Sequence, residues 1–214
     1  MPSTLPPPRG VDALRDAGIT DDEYFTVDVD ALTWRVHRTV GEHVVAWNRL
    51  RTYGPLLRFD PHPRPVRDHP HYGVWYGAGD IPGALAEVFQ TSRTIDRTAG
   101  APYVTGLHFT RPLALLDIGG FGVGRWPTRV GGNFALATAP HSVTQQWART
   151  IRAAYPNLDG IVYRGRFSGA QCVALLPPTA DAFPETPALS LPLDHPGLIS
   201  RLAEAAGRLG YSLV

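Results

Sequence analysis

The sequence predicts an α+β domain, a single compact body built on a mixed, largely antiparallel sheet. Short apolar or alternating runs at 32–38, 73–79, 103–109, 112–118, 158–166 and 170–176 have strand character. Stretches at 11–18, 80–91, 142–155 and 197–210 carry apolar residues at helical spacing. The two kinds do not alternate in the βαβ rhythm that makes a parallel sheet. With 214 residues, 43% of them hydrophobic, the chain is long enough for one domain that buries roughly 70% of its unfolded surface.

Taken in order, residues 1–10 are rich in proline and expected to be extended, and VDALRDAG follows with a modest helical pattern. Residues 1–30 read as an N-terminal extension. LTWRVHR alternates as a strand, with Arg35 and His37 on one face and Trp34 and Val36 on the other. The 53–72 stretch, YGPLLRFDPHPRPVRDHPHY, has prolines spaced to forbid a helix or a central strand, so a long loop is expected.

GVWYGAG then reads as a strand ending in a tight turn. After it, Asp80 is an N-cap and Pro82 sits in the first turn of a helix whose apolar stripe is Ile81, Ala84, Leu85, Val88 and Phe89. YVTGLHF and PLALLDI are strands, the second buried on both faces, and GGFGVGRWPTRVGGN is a glycine-rich loop. SVTQQWARTIRAAY is a helix stopped by Pro156, LDGIVYRGR and AQCVALL are strands, and a proline-studded stretch from 177 to 196 leads to the amphipathic helix GLISRLAEAAGRLG. Residues 177–214 are expected to pack on the same domain.

Composition excludes several classes. Basic and acidic residues nearly cancel, 20 against 19, so no electrostatic footprint for nucleic acid or an anionic membrane exists. All the basic residues are arginine, which removes a lysine Schiff base and a P-loop lysine. Cys172 stands alone in the apolar run CVALL and reads as a buried strand residue. The N-terminus has no apolar leader core and no run reaches membrane-spanning length, so a cytoplasmic location is expected.

The glycines at 119, 120, 122 and 124 do not match the dinucleotide fingerprint, and Pro127 breaks the segment where its helix would start. The histidines at 62, 69 and 71, with Asp60 and Asp68, match no zinc spacing, so a polar surface loop and no metal are expected. Ser168 in RFSGA fits neither a nucleophile elbow nor a serine–lysine pair. Glu87 is different. About 120° round the helix from Ile81, it lies at the edge of the apolar stripe with Gly83 and Ala84 one turn before it, small neighbours that leave room beside a carboxylate. The plain alternative is a surface pair with Arg93 or Arg97.

The runs TWRVHR, LLRFDPHP, VWYGAGDIPGALAEVF, HSVTQQWARTI and LDGIVYRGR together resemble the RES-domain family, named for its Arg, Glu and Ser, over roughly residues 32–176. The resemblance implies a catalytic domain over 31–176, similar in fold to ADP-ribosyltransferases. It implies a toxin that acts on NAD, by phosphorolysis or hydrolysis or by transfer of ADP-ribose to a protein target, and an Xre-type antitoxin as partner. It carries roles to Arg35, Arg58, Tyr76, Glu87 and Ser142. Val36 stands where some members have a tyrosine, and Gly165 where many have a serine, so the family serine is either Ser142 or Ser168. These departures keep a binding domain without turnover as a further alternative.

The residue types suit the chemistry. Breaking the N-glycosidic bond of NAD leaves an oxocarbenium-like ribose, which a carboxylate at Glu87 stabilises. Arg35 and Arg58 suit bidentate contact with the pyrophosphate, Tyr76 offers a flat face to nicotinamide, and Ser142 at a helix start suits a hydrogen bond to ribose or phosphate.

Overall fold

Eight strands hydrogen-bond into one sheet in the spatial order Tyr24–Val27, Leu113–Asp117, Gly160–Arg164, Gln171–Leu175, Trp75–Ala78, Thr33–Arg38, Pro102–Leu107 and Leu189–Pro192. This computed structural model describes residues 5–214, so the first four residues of the segment expected to be extended lie outside the described residues. Neighbours in the sheet are antiparallel except Leu113–Asp117 beside Gly160–Arg164, a parallel pair whose connection contains the helix His141–Ala154. The expected α+β class with a mixed, largely antiparallel sheet is the one observed.

Side-chain alternation along the strands builds an apolar core on each face. Ile161, Tyr163, Cys172 and Ala174 point to one face, where Leu85, Phe89, Trp147 and Ile151 cover them from the helices. Val162, Val173, Leu175 and Trp75 point to the other, against Leu107, Phe109 and Leu113.

Both edge strands lie outside the runs read as strands. Leu189–Pro192 falls in the proline-studded stretch, and it is tolerated because an edge strand has a side free of ladder bonds, where Pro192 costs nothing. Tyr24–Val27 falls in the stretch read as an N-terminal extension. The helix Val11–Ala17 ahead of it is tied to the body. The Trp147 indole N–H donates to the Pro6 carbonyl at 2.9 Å, the Tyr155 hydroxyl donates to the Gly18 carbonyl at 3.2 Å, and Arg129 donates to the Glu23 carboxylate at 2.9 Å.

The helix Ile81–Phe89 forms as its sequence predicts: the Asp80 carboxylate accepts from the Gly83 N–H at 2.7 Å, with Pro82 in the first turn. Gly83, however, does not make room beside Glu87. A Cβ there would come within 2.7 Å of the Ala170 Cβ and 3.1 Å of the Ala78 Cβ, so its smallness lets the helix approach the sheet. The helix His141–Ala154 starts one residue earlier than predicted, with Pro140 at its N-cap.

The glycine-rich loop is not structureless, since it contains a one-turn helix at Trp126–Arg129. Its backbone is gathered round Asp117, whose carboxylate accepts from the N–H groups of Gly119, Gly120, Phe121 and Gly122 at 2.7–2.9 Å. Those donors are committed to a carboxylate, which leaves none of the four for a phosphate. In Leu113–Asp117, expected to be buried on both faces, Ala114 is exposed. No helix among the described residues is long and apolar enough to cross a membrane.

Candidate active site

The strands Thr33–Arg38 and Trp75–Ala78 share one paired position, Trp34 opposite Ala78, and then part. A cavity of about 160 Å³ opens beside this split, bounded by Val36, Tyr76 and Gly77 from the strands and Ala84 and Glu87 from the helix Ile81–Phe89. The loop residues Leu57 and Arg58, the strand residue Tyr163 and Arg166 of the hairpin after it also line it, as do Arg35, Arg51 and His141. The splay of two strands thus makes the cleft, and the helix lies over it.

Glu87 sits on the cavity side of its helix, half-buried, and its Oε2 accepts a hydrogen bond from the Tyr163 hydroxyl at 3.0 Å. Burial pushes its carboxyl above the usual carboxylate range, opposed by the Tyr163 hydrogen bond and the Arg58 charge. The alternative surface pair does not form. Arg93 lies over the Phe167 ring, 5.9 Å from its centroid, and Arg97 donates to the Val214 carbonyl at 3.1 Å.

Tyr76 presents its ring to the cavity and uses its hydroxyl elsewhere: it donates to Asp60 Oδ1 at 2.9 Å and accepts from the Phe59 N–H at 3.0 Å. Burial, followed by the Asp60 charge, holds its phenol well above the ordinary value. Asp60 has no exposure at all and also accepts from both Leu56 and Leu57 N–H groups and, through both oxygens, from Arg51 at 2.7 and 2.9 Å. The expectation of a polar surface loop at 53–72 is therefore corrected: Asp60, His62 and His69 are buried, because this carboxylate folds the loop inward around itself. His62 Nδ1 stands 3.8 Å from Asp60 Oδ2. Among the described residues no group of three or more His, Cys, Asp or Glu side chains stands close enough to hold a metal ion.

The loop is fastened to the helix His141–Ala154, whose Gln145 amide donates to the Leu57 carbonyl at 2.9 Å and whose Thr144 hydroxyl donates to the Arg58 carbonyl at 2.6 Å. Arg58 itself donates to the Ala139 carbonyl. Arg35 crosses the split on the other side of its strand, its guanidinium 5.3 Å from the centroid of Trp75. Burial pulls both guanidinium groups below their ordinary values, with Arg51 adding to the effect on Arg35 and Arg166 to that on Arg58. Both remain cations at neutral pH. Among the described residues, neither these two nor Arg166 lies within ion-pair distance of a carboxylate. Three unpaired arginines thus share the cavity with Glu87, while a fourth, Arg51, is held by Asp60.

The structure therefore brings Arg35, Arg58, Tyr76 and Glu87 to one cavity and leaves Ser142 out of its lining. Ser142 is exposed at the second position of its helix, in an adjoining depression with Leu56 and Arg64. Ser168 is also absent from the lining but lies close to Glu87. A Cβ built on Gly165 would lie 2.7 Å from Ser168 Oγ and 3.4 Å from Glu87 Oε1. Tyr163, Arg166 and Asp60 escape a reading confined to motifs. Tyr163 carries a signal, since strand alternation in GIVYR puts it on the same face as Ile161; Asp60 carries none, because its partners come from three separate segments.

The family model for the RES domain matches residues 32–194. The chain belongs to the RES domain family. The match extends past the predicted limit of 176 and includes the edge strand Leu189–Pro192. A chain of the crystal structure of the M. tuberculosis MbcT–MbcA toxin–antitoxin complex has a similar fold, with a TM-score of 0.55 and 14% identity over 91% of this RES protein and 96% of that chain. No curated protein matches this RES protein.

Proposed function

We propose that this RES protein is a toxin that depletes NAD by breaking its nicotinamide–ribose bond, through phosphorolysis or hydrolysis. The observation that carries the reading is Glu87, held by Tyr163 in a cavity where three of the four lining arginines, Arg35, Arg58 and Arg166, lack acidic partners. The C–N bond breaks with its electron pair leaving on nicotinamide, which departs neutral, and the ribose carbon becomes cationic. Glu87 faces that developing charge, a contribution commonly worth several kcal/mol. Arg58 and Arg166, near enough for the Arg166 charge to act on Arg58, and Arg35 across the split suit a pyrophosphate. The ring of Tyr76, anchored through its hydroxyl to Asp60, is a fixed surface for nicotinamide. An oxygen of phosphate or water then closes on the ribose. Ser142 and Ser168 are the candidates to hold that ribose or a phosphate, Ser168 lying close to Glu87 and Ser142 beside the lining residue His141. NAD is the substrate in this scheme, and no metal takes part.

An Xre-type antitoxin belongs to the same reading, supported by family membership and by the toxin–antitoxin complex in which the similar fold occurs. Transfer of ADP-ribose to a protein is the second reading. It is favoured by exposed apolar residues on the cavity, Leu57 and Val88, with exposed Leu56 and Phe167 next in sequence to the lining residues Leu57 and Arg166, a surface on which a protein acceptor could rest. The test is nicotinamide release from NAD by the purified protein, with and without inorganic phosphate, beside Glu87→Gln. Release that Glu87→Gln lowers by at least about a hundredfold supports cleavage, and dependence on phosphate names the acceptor. A mass increase on an added protein with no free ADP-ribose favours transfer, and full activity in Glu87→Gln sinks both.

A further inference from the structure

Tyr163 takes no part in bond cleavage except as a neighbour of Glu87, yet its position is constrained from every side. It lies on the strand Gly160–Arg164, only 2% exposed, and its ring packs against Phe59 with centroids 4.7 Å apart. Its hydroxyl crosses beneath the helix Ile81–Phe89 to donate to Glu87 Oε2 at 3.0 Å. The Phe59 N–H in turn donates to the Tyr76 hydroxyl at 3.0 Å, so one aromatic pair joins the carboxylate to the loop that carries Arg58.

Other titratable groups surround Glu87 without donating to its carboxylate. Arg58 faces it from the loop, Cys172 from the neighbouring strand, and Tyr211 from the segment after the last helix. Arg166 and His141 stand on the same cavity. Among the described residues the Tyr163 hydroxyl is the single hydrogen-bond donor to the Glu87 carboxylate.

We infer that Tyr163 is the positioning residue for Glu87, fixing Oε2 so that Oε1 is the oxygen presented to the ribose; this rests on the NAD-cleavage reading. The physical reason is a conflict inside the site. A carboxylate that stabilises a cation must be charged, and burial works against that charge, so a donor aimed at one oxygen preserves the anion and sets its orientation together. Arg58 opposes the same penalty by charge alone, with no fixed direction.

The variant that tests this is Tyr163→Phe, which keeps the ring and its packing on Phe59 while removing the donor. Titration of the Glu87 carboxyl, followed by infrared difference spectroscopy and assigned by its loss in Glu87→Gln, is expected to move up by about one pH unit or more. The acid limb of kcat/KM for nicotinamide release is expected to move with it, with activity returning to within about tenfold of the wild type on the alkaline side. An unchanged Glu87 titration overturns the inference, as does a loss of activity that no pH restores. If the wild-type protein releases no nicotinamide, the NAD reading fails separately, because the infrared titration reads the link between the two side chains without turnover.

Discussion

The Tyr76 hydroxyl and the Asp60 carboxylate meet at 2.9 Å, so a residue of the cavity wall holds down the loop that supplies an arginine to the same cavity. Asp60 also neutralises Arg51, and both Asp60 oxygens are taken. Removing either side of this arrangement should therefore affect stability and ligand binding at once. Asp60→Ala leaves Arg51 without its partner and is expected to cost about 3–5 kcal/mol in urea unfolding, whereas Tyr76→Phe, which removes one donor, is expected to cost about 1–2 kcal/mol. Equal losses in the two variants would contradict this account of the loop.

Arg166 projects from the hairpin between Gly160–Arg164 and Gln171–Leu175 and is exposed, so its removal should leave the fold intact. Arg166→Ala is expected to raise KM for NAD about tenfold with kcat within about threefold, and to flatten the dependence of KM on salt. Steady-state assays over a range of ionic strength check it. A fall in kcat alone would place Arg166 in the chemistry instead of in binding.

Glu87 has a consequence for stability that runs opposite to most acids. Its folded-state pKa is raised above the unfolded value, so the native state binds the proton more tightly, and stability falls as pH rises through the window between the two values. Once the carboxyl is ionised in the folded state the whole penalty is present. Glu87→Gln is expected to raise Tm at pH 7, with the advantage over the wild type shrinking below the unfolded carboxylate pKa, where both are uncharged. Thermal unfolding at the two pH values decides it, and a lower Tm for Glu87→Gln at pH 7 would show that the ionised form is favoured by its surroundings.

Gly165 is closely surrounded. A Cβ there would lie 2.7 Å from Ser168 Oγ and 3.0 Å from Cys172 Sγ, and only the first can swing away. Gly165→Ser is expected to lower Tm by several degrees, and the double change Gly165→Ser with Ser168→Gly to recover much of the loss. Additive effects in the double variant would mean that the two side chains do not compete for one space.

Much of this protein was legible without coordinates because the information was local. Asp80, Pro82 and the apolar stripe after them specify a helix within ten residues, and that helix forms with the predicted cap. The alternating run at 32–38 is a strand for the same reason. Glu87 could be singled out because a helical wheel places it at the edge of a stripe, and the resemblance brought Arg35, Arg58 and Tyr76 beside it, residues that share its cavity.

The remainder depended on chain segments far apart in sequence. Residues 53–72 read as polar surface from composition, yet Asp60 is buried because Arg51, Tyr76 and two backbone N–H groups converge on it. Leu189–Pro192 becomes a strand only because the edge of Pro102–Leu107 is open to receive it. By itself the sequence determined the α+β class and the helix that bears Glu87, since each follows from spacing within a few residues, while Arg35, Arg58 and Tyr76 were marked out by the family resemblance. Only the tertiary structure decided that two strands part after one pair to open the cavity, that Tyr163 reaches Glu87, and that Ser168 comes close to that carboxylate while Ser142 is exposed beside the lining residue His141, because those are relations between elements and no local pattern encodes them.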